Sequence, residues 1–197
     1  MKNKIFMGFL AIALVAVLTS CGKAPQVEMD AAQAAIATAK AAQADLYVPA
    51  EYKAIQDSVN AVLESIEARK GKLFVRFTEE KEKLVAITAK AAVVKANGEA
   101  AKAKLIAEIE TMFSEMTELV AENNTLVAKA PKGKGGAAVI AEIKSEMAVI
   151  DASVVEANTL FTSGSYFAAK AKLKSAKESA MAINTELKEA IAKKGGK

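Results

Sequence analysis

The sequence contains no histidine, no tryptophan and only one cysteine, Cys21, among its 197 residues. Histidine is the usual side chain for proton transfer near neutral pH and a common metal ligand, and a single cysteine cannot form a disulfide within the chain. Aromatic residues make up only 5%, and there are three prolines. These shortages exclude histidine-based catalysis, histidine metal sites and internal disulfides. They favour slender helix packing over a thick core built around a pocket.

Motifs for catalysis or metal binding are also missing. Gly133-Lys134-Gly135-Gly136 is rich in glycine, but it lacks the preceding strand and the spacing of a phosphate-binding loop. The carboxylates are spread over polar faces, without the spacing of a calcium loop. We therefore predict no catalytic residue, no metal site and no cofactor other than a covalent lipid, and we expect that the protein is not an enzyme.

The first residues have the pattern of a secretory signal peptide. Lys2 and Lys4 precede an apolar run, Ile5 to Leu18, that contains neither a charge nor a hydroxyl group. A membrane-spanning helix needs about 20 apolar residues, so this run is too short for a stable transmembrane helix. Its length fits the apolar region of a signal peptide. We predict that residues 1–20 are cleaved from the mature protein.

Leu18 ends this run, and Leu18-Thr19-Ser20-Cys21 resembles the lipobox of bacterial lipoproteins. The resemblance implies diacylglycerol on the Cys21 sulfur, cleavage before Cys21 and usually another acyl chain on the new amino terminus. Two or three acyl chains make dissociation from a bilayer negligible. Cys21 is therefore the predicted lipidation site, and residues 21–27 form a lipidated tether.

The residue after Cys21 gives an indication of which membrane holds the protein. In lipoproteins of the enterobacterial type, an aspartate there implies retention in the inner membrane, whereas this chain has Gly22. The resemblance thus favours the periplasmic side of the outer membrane, with the inner membrane as the open alternative. We expect the membrane and other envelope proteins as partners. Export excludes nucleic acid.

Turn-forming residues divide the mature chain into five predicted helices. The breaks are at residues 45–49, 69–71, 130–136 and 162–165. Between them, large apolar residues recur every three or four positions, which places them on one helical face. These stripes include Ala32, Ile36 and Ala39; Tyr52, Ile55, Val59, Val62 and Ile66; Ile140, Ile143, Met147, Ile150, Val154, Ala157 and Phe161; and Tyr166, Ala169, Leu173, Ala176, Ala180, Ile183, Leu187 and Ala190.

The third predicted helix is the longest, from Lys72 to Lys129. Its apolar stripe begins at Leu73 and Phe77 and crosses Asn97-Gly98 without interruption. The alternative is a helix end at Asn97-Gly98, because this dipeptide favours turns and glycine costs about 1 kcal/mol within a helix.

The predicted fold is all-α, an elongated antiparallel helical bundle. Short connections make successive helices antiparallel. Two three-helix bundles, residues 28–96 and 97–193, would then share the long helix, followed by a flexible basic tail at 194–197. The turn at Gly71 should lie near the membrane, and the 130–136 loop should point away from it.

Two further resemblances concern fold only. Residues 42–52, together with their alanine-rich flanks, resemble the Ala-rich helical envelope lipoproteins that are grouped as a domain of unknown function. Gly164-Ser165-Tyr166, with Ala169 and Leu173, resembles the second helix of a tetratricopeptide unit. Without an array of repeats, we interpret that second pattern as ordinary packing of a helical hairpin rather than a peptide-binding groove.

Lysines concentrate in the last predicted helix, whereas glutamates concentrate in the second half of the long one. We expect the two charged faces to meet when the last helix packs back. The terminal Lys197 suggests an alternative function. Small outer-membrane lipoproteins can be joined to peptidoglycan through a last lysine, so a membrane-to-peptidoglycan linking lipoprotein is the second hypothesis.

Overall fold

The computed structural model describes residues 23–131 and 136–195. Six helices and no strand occur within these ranges, which confirms the predicted all-α class. The helices are α1 (Gln26–Ala41), α2 (Ala44–Tyr47), α3 (Pro49–Arg69), α4 (Thr78–Lys129), α5 (Gly136–Thr162) and α6 (Tyr166–Gly195).

The first predicted helix, Glu28 to Ala44, ends earlier than expected. Gln43 has a φ of 62°, in the left-handed region, and it separates α1 from the short helix α2. Such a φ cannot continue a right-handed helix. Pro49 then begins α3, a position where proline's missing N–H costs no helical hydrogen bond. The first break therefore contains a single helical turn between two sharp changes of direction.

The long helix begins at Thr78, so the prediction of a start at Lys72 was wrong. Gly71 has a φ of 81° and Phe74 a φ of 61°, and neither value is compatible with an α-helix. Residues 70–77 form a loop instead. Beyond Thr78, α4 runs for 52 residues and passes through Asn97 and Gly98 without a break, as the uninterrupted stripe predicted.

Glycine ends α5 by a recurring mechanism. Gly164 has a φ of 81°. The N–H of Gly164 donates to the carbonyl of Phe161 at 3.0 Å, and the N–H of Ser165 donates to that of Leu160 at 2.8 Å. This pair of bonds is a Schellman motif, which satisfies the last carbonyls of a helix. The predicted break at residues 162–165 is confirmed.

The chain divides into two compact units, with the boundary between Lys102 and Ala103 within α4. In the first unit, α1, α2, α3 and the first part of α4 enclose a common core. The predicted stripe residues of α1 and α3 are all buried there. Glu51 hydrogen-bonds with Asn97, and Ser65 with Glu80. The early part of α3 therefore lies beside the later residues of α4, so the two helices run antiparallel.

In the second unit, α5 and α6 pack along each other as a hairpin. Most of its predicted core is buried: Ile143, Met147, Ile150 and Ala157 of α5, and Ala169, Leu173, Ala176, Ala180, Ile183 and Leu187 of α6. The other predicted stripe residues of these helices are only half-buried: Ile140, Val154, Phe161, Tyr166 and Ala190. The later part of α4 contributes Leu105, Ile109 and Met116. The arrangement into two three-helix bundles stays a prediction.

Candidate functional site

The predicted lipidation residue, Cys21, lies outside the described residues. The same is true of Gly22, of Lys132 and Lys134 in the third break, and of Lys197. The first described helix, α1, begins at Gln26, shortly after the predicted tether begins. A lipid on Cys21 would therefore lie close to the end of the first unit where α1 begins.

One ion pair identifies what else lies at that end. Lys81 Nζ, in the first turn of α4, is 2.8 Å from Glu28 Oε1, in the first turn of α1. Since the loop of residues 70–77 leads directly into α4, the loop and the start of α1 share one end of the first unit. Gln43, just after α1, instead accepts a hydrogen bond from Lys102 Nζ at 2.8 Å. The α2 turn thus occupies the opposite end of this unit.

Arg69 fixes the base of the 70–77 loop. Its Nη1 contacts Glu80 Oε1, and its Nη2 donates to the backbone carbonyl of Arg76 at 2.9 Å. The guanidinium carbon lies 5.6 Å from the centre of the Phe77 ring, within the range of a cation–π contact. One side chain at the end of α3 therefore holds the end of the loop and the first turn of α4 together.

Glu80 is the buried partner in this arrangement, with 3% of its surface exposed. Ser65 Oγ also donates to its Oε1, at 3.0 Å. Burial raises the pKa of the Glu80 carboxyl. That effect is outweighed by a backbone hydrogen bond, the hydrogen bonds from Arg69 and Ser65, and the Arg69 charge, so the pKa is lowered. The carboxylate therefore stays ionised at neutral pH.

A cavity of about 330 Å³ lies between α3 and α4 beside this carboxylate. Its walls are apolar at Val62 and Ile87 and polar at Ser65, Glu80 and Lys83. The second oxygen of Glu80, Oε2, accepts no hydrogen bond from the described part of the protein. The Oε2 atom is itself buried, so the carboxylate is stabilised through Oε1 by Arg69 and Ser65.

The tip of the 70–77 loop exposes two large apolar side chains. Leu73 is 87% exposed and Phe74 is 99% exposed, more than any other large hydrophobic residue in the described ranges. Phe74 also has a left-handed φ, which costs a non-glycine residue about 1 kcal/mol. Val75, next in the chain, packs against the core of the first unit. The loop thus has a fixed base and a fully exposed apolar tip.

The second unit contains a buried amide pair. Asn123 Nδ2 donates to the carbonyl of Ala180 at 2.8 Å, and Asn184 Nδ2 donates to Asn123 Oδ1 at 2.8 Å. Asn123 is 1% exposed and occupies a core position of α4. A buried polar pair of this kind satisfies its groups in only one alignment of two helices, so it specifies the register of α6 against α4.

The expected meeting of charged faces is confirmed. Lys170, Lys177 and Lys188 of α6 pair with Glu108, Glu115 and Glu122 of α4 at 2.6, 2.7 and 2.8 Å. The hydrogen bond and charge of Lys170 lower the pKa of Glu108. The hydrogen bond from Lys188 is the main cause of the lowered pKa of Glu122. These lysines therefore form ion pairs within the second unit.

The tetratricopeptide-like residues serve packing within the second unit. The Tyr166 ring meets the Phe161 ring edge to face, with centres 5.5 Å apart. Phe161 meets Phe113 of α4 in the same way, at 5.8 Å. Ala169 and Leu173 are completely buried. An aromatic cluster therefore closes the α5–α6 turn onto α4.

Comparison with known proteins gives no relative: the chain matches no protein-family model, no curated protein and no solved structure. Within residues 23–131 and 136–195, no group of three Cys, Asp or Glu residues is arranged to hold a metal ion. The same ranges contain no helix that is both long enough and apolar enough to span a membrane.

Sequence reasoning missed the polar groups in the core and the exposed loop. Glu80 lies between Phe77 and Leu84 on the stripe of α4, and Asn123 lies further along the same helix. The sequence did contain a signal: at residues 80 and 123 the apolar repeat of the long helix has a polar residue where an apolar one is expected. Leu73 was assigned to the packed stripe, but it is exposed because the helix has not yet begun.

Proposed function

We propose that this protein is a lipoprotein of the bacterial cell envelope, held to a membrane by lipid on Cys21, whose helical part has a structural or protein-interaction role. The single observation that carries the proposal is Leu18-Thr19-Ser20-Cys21 placed at the end of an apolar run that follows a charged start. Export, cleavage and acylation all follow from that order of residues. A role in binding or support, without catalysis, agrees with a chain that has no histidine.

The helical part is suited to a position close to a bilayer. The helix α1 begins five residues after Cys21, so a lipid there would hold the first unit near the surface. The mature chain has alternating apolar and charged helical faces, which allow it to fold in water while the acyl chains enter the membrane. The Gly22 position favours the periplasmic side of the outer membrane.

Labelling with an alkyne-bearing fatty acid tests the anchor. Bacteria that express the full chain should incorporate label into the wild-type protein, and Cys21→Ser should abolish it. Gly22→Ala is a matched control because it changes a neighbouring residue but keeps the sulfur, so it should remain labelled. Equal labelling of Cys21→Ser and wild type would refute the proposal.

Membrane fractionation tests the location. Outer-membrane fractions should contain the acylated wild-type protein, whereas Gly22→Asp should move it toward the inner membrane if the enterobacterial sorting pattern applies. A wild-type protein found mainly in inner-membrane fractions would overturn the outer-membrane assignment while leaving the lipid anchor intact.

The peptidoglycan-linking alternative rests on the final Gly195-Gly196-Lys197. Sacculi boiled in detergent would retain a covalently linked protein, and deletion of Lys197 would release it. We expect complete extraction of the wild-type chain instead. Crosslinking in the envelope, followed by purification of the protein, would then identify the partners of the helical part.

A further inference from the structure

The exposed loop at residues 70–77 has the properties of a surface that contacts a lipid bilayer. We propose that Leu73 and Phe74 enter the interfacial region of an anionic membrane, where Lys72 and Arg76 contact the lipid headgroups. The inference rests on the proposed function, since it concerns the bilayer that would hold Cys21. It adds a second, noncovalent contact made by the fold itself.

The tip of the loop holds the two most exposed large hydrophobic residues in the described ranges. Leu73 and Phe74 are adjacent, and nearly all of the surface of each is open to solvent. Other exposed apolar residues, such as Val85 and Val93, retain contacts along a helix and are only 56% and 58% exposed. Two neighbouring large apolar side chains at a loop tip gain most from leaving water, and a bilayer accepts them without requiring a matching pocket.

The loop carries only positive charge. Between Arg69 and Phe77 the chain carries four cationic side chains and no acidic one. Arg69 pairs with Glu80 and Lys70 pairs with Glu67. Lys72 and Arg76 form no ion pair among the described residues, and both are exposed on either side of the apolar tip. This arrangement complements an anionic headgroup layer, which attracts lysine and arginine close to its surface.

The loop lies at the end of the first unit where α1 begins. The Glu28–Lys81 ion pair places the start of α1, and with it the chain that leads back to Cys21, at the same end of the first unit as the loop. Arg69 holds the base of the loop through Glu80 and the Arg76 carbonyl. A tip presented by a fixed base loses less conformational freedom on binding than a free segment would lose. The anchor and the tip could therefore meet one bilayer together.

The absence of tryptophan from the chain provides a direct test. Mature chain 21–197 carrying Cys21→Ser would be made without lipid, and Phe74→Trp would give a single tryptophan, at the tip. Circular dichroism first verifies that each variant is helical. With vesicles of phosphatidylglycerol and phosphatidylethanolamine, emission from residue 74 should shift to the blue and be quenched by brominated acyl chains. The matched control is Leu46→Trp, in the α2 turn at the opposite end of the unit, which should do neither.

Partitioning measurements then separate the two contributions. Leu73→Ser/Phe74→Ser should lower binding to anionic vesicles by about tenfold or more, because the apolar transfer is lost. The matched control, Val85→Ser/Val93→Ser, removes two exposed valines from α4 and should leave binding unchanged. Lys72→Gln/Arg76→Gln should remove the preference for anionic over phosphatidylcholine vesicles, with a smaller effect in high salt.

Several results would overturn the inference. An unshifted Phe74→Trp spectrum in all vesicles, or equal loss of binding in the valine control, would show that the tip does not enter lipid. A blue shift that grows with protein concentration in the absence of vesicles would assign the tip to contact between copies of the chain. Because the tested chain lacks the acyl group, these outcomes are independent of the Cys21 labelling result.

Discussion

Gly98 of α4 faces Ala44 of α2 at a distance that leaves no room for another side chain. A β-carbon at residue 98 would lie 2.9 Å from the Ala44 Cα and 3.0 Å from its Cβ. Real Cβ atoms essentially never come that close to backbone atoms, so a larger residue must push the two helices apart. The glycine that suggested a turn in the sequence is therefore a packing position within a continuous helix.

We predict that Gly98→Ala destabilises the protein by about 1–3 kcal/mol, because the added methyl overpacks the α2–α4 contact. Alanine is intrinsically better than glycine in a helix by about 1 kcal/mol, so helix propensity alone predicts the opposite sign. The matched control is Ala96→Gly, at an exposed position of the same helix, which should cost about 1 kcal/mol through propensity. Urea unfolding followed by circular dichroism measures both. A more stable Gly98→Ala protein would contradict the contact.

The buried amides of the second unit should behave as a pair. Asn123→Ala alone should cost about 2–3 kcal/mol, because the Ala180 carbonyl and the Asn184 amide lose a buried partner. Replacing both, as in Asn123→Leu/Asn184→Ala, should recover much of this loss. The double variant should still be helical. A double variant that costs as much as Asn123→Leu and Asn184→Ala added together in urea unfolding would show that the two amides act independently.

Acid should remove the contribution of Glu80 to stability. Its folded-state pKa lies below the ordinary value of 4.5, so the unfolded chain takes up the proton at a higher pH than the folded chain. The stabilisation is therefore complete above about pH 4.5 and is lost as the pH falls through the lowered folded-state pKa.

The test compares wild type with Glu80→Gln by urea unfolding at pH 7 and pH 3. The variant should be less stable by about 2–3 kcal/mol at pH 7, and the difference should shrink at pH 3. The exposed carboxyls of Glu108 and Glu122 also have a lowered pKa, but both proteins contain them, so their effect cancels. A difference independent of pH would mean that the Glu80 charge does not contribute.

The ion pairs between α4 and α6 should favour one alignment while contributing little energy. Lys177→Glu places a negative charge against Glu115 and should destabilise the protein by less than about 1 kcal/mol, since both side chains are partly exposed. Adding Glu115→Lys restores an opposite-charge pair and should recover the loss. Thermal unfolding in low and high salt measures the effect. A single variant that remains equally destabilised in high salt would exclude a charge effect.

The apolar stripes were predictable because helical periodicity is a local property of the sequence. Tyr52, Ile55 and Val59 repeat at intervals of three and four, and their burial needs only a neighbouring helix of any kind. The break at Gly164 was equally visible, because a left-handed residue there is a local requirement of the Schellman motif.

The start of the long helix was mispredicted because the apolar repeat of three and four residues continues into the loop that precedes the helix. Leu73 and Phe77 fit the stripe of α4 by spacing, but the backbone at Phe74 is left-handed. Arg69 stabilises the loop form through contacts with Glu80 and the Arg76 carbonyl, which no periodic pattern encodes. The proposed membrane contact exists only in this loop form.

The sequence by itself determined that the described chain is helical, where most helices end and which faces carry the apolar residues, since these depend on side chains within a few positions of one another. It also supplied the lipobox pattern behind the proposed anchor. Only the tertiary structure decided that Glu80 and Asn123 are buried, that Gly98 must be glycine and that Leu73 and Phe74 are exposed. Each of those outcomes depends on the distance to residues far away in the chain, and that distance is fixed only when the helices pack.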